Sequence, residues 1–164
     1  MDLTMSMTDI PIEAGIQILV PPGTSLAQNE FSATADFDVT RTAGALTPAV
    51  PGQIEGILLI GYAGIGQAPT QEGWIFFFDE DPNTTCGDAT LTAAIRRTAL
   101  GMVHFFPADW DTAGDNSSAY RPVEVPFHAV DTLYAVFRNL GADINDLVKD
   151  TEVLAINIWY RRDD

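Results

Sequence analysis

Between residues 31 and 39 the chain alternates strictly, with Phe31, Ala33, Ala35, Phe37 and Val39 on one side and Ser32, Thr34, Asp36 and Asp38 on the other. A period of two marks a strand with one buried face, because successive side chains of a strand point to opposite sides of its sheet. The same pattern closes the chain at residues 152–160: Leu154, Ile156, Ile158 and Tyr160 oppose Val153, Ala155, Asn157 and Trp159. Shorter apolar runs at 15–20, 54–62, 74–78, 102–106, 123–127 and 133–139 complete a set of about eight strands. They are cut apart by turns such as Pro21-Pro22-Gly23 and Asp79-Glu80-Asp81-Pro82.

Helical spacing is scarce. Residues 88–100 place Leu91, Ala94, Ile95 and Ala99 on one face, with Asp88 positioned to cap the start and Gly101 to end the helix. Residues 143–149 could add a turn or two through Ile144, Leu147 and Val148. Residues 107–122 read as a long polar loop. No strand–helix–strand rhythm recurs, which argues against a parallel α/β sheet. The expected fold is mainly β: one antiparallel two-sheet sandwich over residues 14–164, most economically a jelly roll, with one short helix. Residues 1–13 are expected to form an extended N-terminal arm.

The 164 residues carry a net charge of −15 and are 46% hydrophobic, which suits a compact domain with an acidic surface. Residues 1–80 hold ten acids against the single base Arg41, and the remainder holds thirteen against seven. Such a surface opposes binding to a polyanion, so no nucleic-acid partner is expected. The longest apolar runs fall far short of the roughly 20 residues that a membrane helix needs, so no membrane partner is expected either. The N-terminal residues lack the basic and apolar regions of a signal peptide. Cys86 is the only cysteine, which excludes an intrachain disulfide and suits a reducing compartment or a particle assembled in a cytosol.

Tests for reaction chemistry come back empty. There is no Gly-x-Ser-x-Gly elbow, and His104 and His128 have unrelated neighbours and read as structural. Cys86 has no basic group beside it and reads as a buried or incidental thiol. The run Gly61-x-x-Gly64-x-Gly66 precedes no helix and carries no lysine, unlike a phosphate loop. Asp109, Asp111 and Asp115 with Gly114 echo part of a calcium loop, but Tyr120 stands where its bidentate glutamate belongs. No cofactor or metal is assigned, and these three aspartates remain weak calcium candidates.

The aromatic run Trp74-Ile75-Phe76-Phe77-Phe78 is more informative, because it puts bulky groups on both faces of one strand. One face enters the core; the other needs cover from the helix, a loop or a second subunit. Trp159-Tyr160 and Phe105-Phe106 raise the same question, and Arg96-Arg97 and Arg161-Arg162 could pair with a neighbour's carboxylates.

An N-terminal arm, Pro-rich turns, a β-sandwich and a final strand Val153-Leu154-Ala155-Ile156-Asn157-Ile158-Trp159-Tyr160 resemble the jelly-roll head-decoration (cement) proteins of tailed bacteriophages. That resemblance implies a virion structural protein, not an enzyme. It would be a homotrimer on the outer capsid surface, assembled in the host cytoplasm, and would clamp neighbouring major capsid proteins. The expected interface residues are Leu3, Met5, Ile10 and Ile12 of the arm, with Trp74 and Trp159. The first forty residues contain six acids and no base, which favours an arm lying against protein on the outside of a shell. The alternative is a carbohydrate-binding lectin or adhesin module using Trp110, Tyr120 and the acids of residues 107–122, with calcium. A third reading is a cupin-like or glycosidase enzyme.

Overall fold

The computed structural model describes residues 11–42, 45–46, 48–62, 71–88, 91, 93–113, 116–144 and 154–163. The chain runs through β1 (Ile12–Glu13), β2 (Gln17–Val20), β3 (Ala35–Asp38), a small hairpin of β4 (Arg41–Thr42) and β5 (Ala45–Leu46), β6 (Gly52–Tyr62) and β7 (Gly73–Phe78). Helix α1 (Ala93–Arg97) follows, then β8 (Gly101–Phe105), a 3₁₀ turn at Pro107–Asp109, β9 (Trp110–Ala113), β10 (Asn116–Phe127), β11 (Thr132–Asn139) and β12 (Leu154–Arg162). Each of the eight runs expected from the sequence overlaps one of these strands.

Pairing is nested about the middle of the chain. β7 pairs with β8, β6 with β10, β3 with β11 and β2 with β12, all antiparallel. A chain folded once into a long hairpin gives that order. Rolling the hairpin then joins β12 to β6 and β11 to β7. Two sheets result, one ordered β2-β12-β6-β10-β9 with β1 also on β12, the other β3-β11-β7-β8. This is a jelly roll. Ile54, Ile57, Leu59, Ile75, Phe77, Phe105, Phe137, Ile156, Ile158 and Tyr160 fill the space between the sheets, all fully buried. Each such side chain contributes about 1.5–3 kcal/mol over an exposed one.

Five expectations are corrected. The alternation at residues 31–39 does not hold one phase: Ala35, Phe37 and Val39 face the core, but Phe31 lies in a second cluster. The backbone of Phe31 bridges both Asp88 and Arg138, which takes it off the β3 ladder. Ser32 turns inward instead, where its Oγ accepts the Phe137 amide at 2.9 Å.

The helix is shorter than residues 88–100. The Asp88 carbonyl accepts the Phe31 amide rather than opening a helix, and Gly101 begins β8. The stretch 107–122 is not an open loop but the β9–β10 hairpin, with Ala119 opposite Trp110. Its alternation is written in small and polar residues, buried Ser117 and Ala119 between exposed Asn116 and Tyr120, and is easily read as loop. Ile144 pairs with Leu26 in an isolated bridge, so the expected helical turn does not begin there; residues 145–149 lie outside the described residues.

Among the described residues strand pairing begins at Ile12, ahead of the expected boundary at residue 14. Ile12 packs against the chain's own core. Asn157 explains why the chain continues along this edge. Its Nδ2 donates to Glu13 Oε1 at 2.7 Å and its Oδ1 accepts the Gly15 amide at 3.0 Å, so a buried amide in mid-strand is satisfied.

Candidate functional site

Strand β7 buries Ile75 and Phe77 between the sheets and turns Trp74, Phe76 and Phe78 outward. Register then places Val136, Phe76 and Met102 in one row across the outer face, and Arg138, Trp74 and His104 in the next. The helical segment supplies the cover that the sequence demanded. Leu91, Ile95 and Ala99 pack with Phe31, Phe76, Phe78 and Val136 into a second apolar cluster. The helix is only five residues long, however, and its cover stops before the end of the row. Met102 is left 52% exposed and Phe106 47% exposed, with Trp74 half-buried.

His104 is stacked between two aromatic rings, 4.4 Å from Trp74 and 4.0 Å from Phe106 between centroids. Its Nε2 lies 2.9 Å from Glu72 Oε1. This fixes a flat ladder of three rings on the surface.

A cleft of about 370 Å³ opens beside that ladder, lined by Trp74, Phe76, Met102, Arg96, Arg97 and Arg138. Arg96 and Arg97 come from the last turn of α1, and Arg138 from the outer face of β11. Three other arginines are engaged. Arg121 pairs with Asp109 at 3.2 Å, Arg161 with Glu55 at 3.0 Å, and Arg162 donates to the Thr40 and Pro48 carbonyls. Among the described residues no carboxylate pairs with Arg96, Arg97 or Arg138. The Arg138 guanidinium instead sits 5.5 Å from the Phe31 ring, and its shielded Nε has no acceptor. Three unneutralised guanidinium forks around an aromatic and thioether floor suit a carboxylate attached to an apolar group.

Trp74 and Trp159 lie on opposite outer faces of the sandwich. Trp159, half-buried, meets the 55% exposed Tyr120 edge to face at 5.9 Å. The Tyr120 ring lies close over Gly56, where an added Cβ would stand 2.6 Å from the phenol oxygen. Leu3, Met5 and Ile10 lie outside the described residues, as do Gly64, Gly66 and Asp115.

Trp110 is buried and donates its indole N–H to the Gln71 carbonyl at 2.8 Å, so it offers no surface for stacking a sugar. The Asp109 carboxylate is taken by the Phe106 amide and Arg121, and Asp111 is exposed on β9. Cys86 is half-buried, and burial pushes its thiol up, away from the thiolate a nucleophile needs.

Sequence reading found Trp74 and the Arg96-Arg97 pair but missed Arg138 and Met102. The available signal was phase: Tyr134, Val136 and Arg138 alternate with the core residues Leu133, Ala135 and Phe137, and that places Arg138 beside Trp74.

No protein-family model matches the sequence, and no curated protein matches it. Among solved structures the chain is similar to one from Israeli acute paralysis virus, a full particle heated to 63 degrees, at 7% identity and a TM-score of 0.42. The match covers 100% of this chain and 76% of the viral one, and at that level it carries no argument.

Proposed function

We propose that this chain is a non-enzymatic structural protein of a virion, a decoration or cement protein on the outer capsid surface. It binds across joints between major capsid proteins and stabilises the shell by many repeated contacts. The observation that carries this reading is the arginine-lined aromatic cleft, an apolar surface ringed by cations that no carboxylate among the described residues neutralises, on a molecule of net charge −15. A second aromatic pair, Tyr120 and Trp159, stands on the opposite face, so one sandwich offers two sides to neighbours. The acidic surface supports a place away from packaged nucleic acid. A fold alone does not specify function, and a jelly roll serves many; the surface chemistry is what favours assembly. The homotrimer belongs to the resemblance to head-decoration proteins.

Light scattering in solution tests the assembly state. The expected result is a calcium-independent mass about three times the 17.8 kDa of one chain. A monomer whose mass or melting temperature changes with calcium contradicts it and favours the ligand-binding module.

A further inference from the structure

We propose that the arginine cleft is a binding site for a small aromatic monocarboxylate. The carboxylate pairs with Arg96, Arg97 and Arg138, and the ring rests on the floor of Trp74, Phe76 and Met102. The lining comes from one chain, so this inference goes beyond the structural role above and does not rest on it.

The cations set the charge of the ligand. Arg138 is half-buried and its guanidinium is held 5.5 Å from the Phe31 ring, so its place is fixed before a ligand arrives. A partly desolvated cation without a counter-ion is costly, and a bound anion offsets that cost. Glu72, two residues before Trp74, directs its Oε1 to His104 at 2.9 Å rather than to an arginine. The stretches beside β7 and α1 that lie outside the described residues, 63–70, 89–90 and 92, contain no acid. Guanidinium forks match the two oxygens of a carboxylate with parallel hydrogen bonds. The chain carries −15, so its field repels a dianion about twice as strongly as a monoanion.

The floor sets the body of the ligand. Trp74 is held in place by its stack on His104, 4.4 Å between centroids, and His104 is held in turn by Phe106. Met102, 52% exposed, brings a polarizable thioether to the same surface. An aromatic ring suits both better than an alkyl chain, because it stacks and has few torsions to freeze on binding. A volume of about 370 Å³ lies at the small end of ligand sites and suits a ring system the size of naphthalene.

The test is isothermal titration of the full chain with 2-naphthoate. Binding is expected with a dissociation constant of about 1 mM or tighter. The uncharged 2-naphthamide is expected to bind at least about tenfold more weakly, and acetate, which lacks the ring, to give no detectable heat. Arg96→Gln with Arg97→Gln is expected to weaken 2-naphthoate about tenfold, the scale of two partly exposed ion pairs. Both arginines are exposed, so the double variant keeps its fold, which circular dichroism verifies. Met102→Ala is expected to weaken binding about threefold.

No binding of 2-naphthoate overturns the proposal, including the case in which a carboxylate of the chain itself already fills the cleft. Equal affinity in the double arginine variant overturns it as well, because the ring would then bind elsewhere. So does equal affinity for 2-naphthamide, which would make the site apolar only. Tighter binding of 2-naphthyl phosphate than of 2-naphthoate overturns the carboxylate assignment.

Discussion

Gly73→Ala is expected to destabilise the protein by about 3 kcal/mol and to lower its melting temperature by about 10 °C. Gly73 opens β7 and pairs with Asn139 on one side and Phe105 on the other. The Phe137 ring leans into the space a side chain would occupy. A Cβ there would also stand 2.5 Å from the Arg138 carbonyl oxygen. Neither obstacle can move cheaply, because Phe137 is fully buried in the core and the carbonyl belongs to a central strand. Gly15 is the control. It has φ +105° and open space around its Cβ position, so Gly15→Ala costs backbone strain alone, about 1 kcal/mol. Urea unfolding of both variants reads the difference; a Gly73→Ala cost below that of Gly15→Ala contradicts the packing account.

The second large effect lies at Asn139, which is fully buried at the end of β11. Its Nδ2 donates to the Leu26 and Ala142 carbonyls at 3.1 and 3.0 Å, and its Oδ1 accepts from Gln71 Nε2 at 2.8 Å and the Gly141 amide at 3.0 Å. Gln71 Nε2 also donates to the Ala142 carbonyl, and the Gln71 carbonyl accepts the Trp110 indole. One amide thus ties three chain segments to the sheet. Asn139→Ala removes four hydrogen bonds and strands the Gly141 amide, for an expected loss of about 3–4 kcal/mol. Asn139→Asp is expected to cost at least as much, since it turns a carboxylate oxygen toward two carbonyls. Because Asn139 points inward, its neighbour Arg138 points outward into the cleft. A loss below 1 kcal/mol for Asn139→Ala would mean that the surrounding backbone re-forms its bonds without the side chain.

The strands were legible because burial of one or both faces leaves a period of two or a continuous apolar run, and all eight members of the roll carry one signal or the other. Strand order was not legible. Nesting depends on which turns let the long hairpin roll up, and no local pattern records that. The β9–β10 hairpin escaped because Ser117 and Ala119 fill core positions with small side chains. Asp88 looked like a helix cap because its type suits one, but the tertiary bridge to Phe31 claimed its backbone. The cleft was half-legible. The need to cover Trp74 and Phe76 followed from their alternation, whereas the meeting of Arg138 with Arg96 and Arg97 required the β7–β11 register and the short helix.

The most direct measurement of the central claim is the protein content of purified virions, by quantitative mass spectrometry before and after surface proteolysis. The account predicts that this chain is present in a fixed ratio to the major capsid protein and that part of it is cleaved on intact particles. Its absence from particles, or its presence only in trace, variable amounts, would contradict the account.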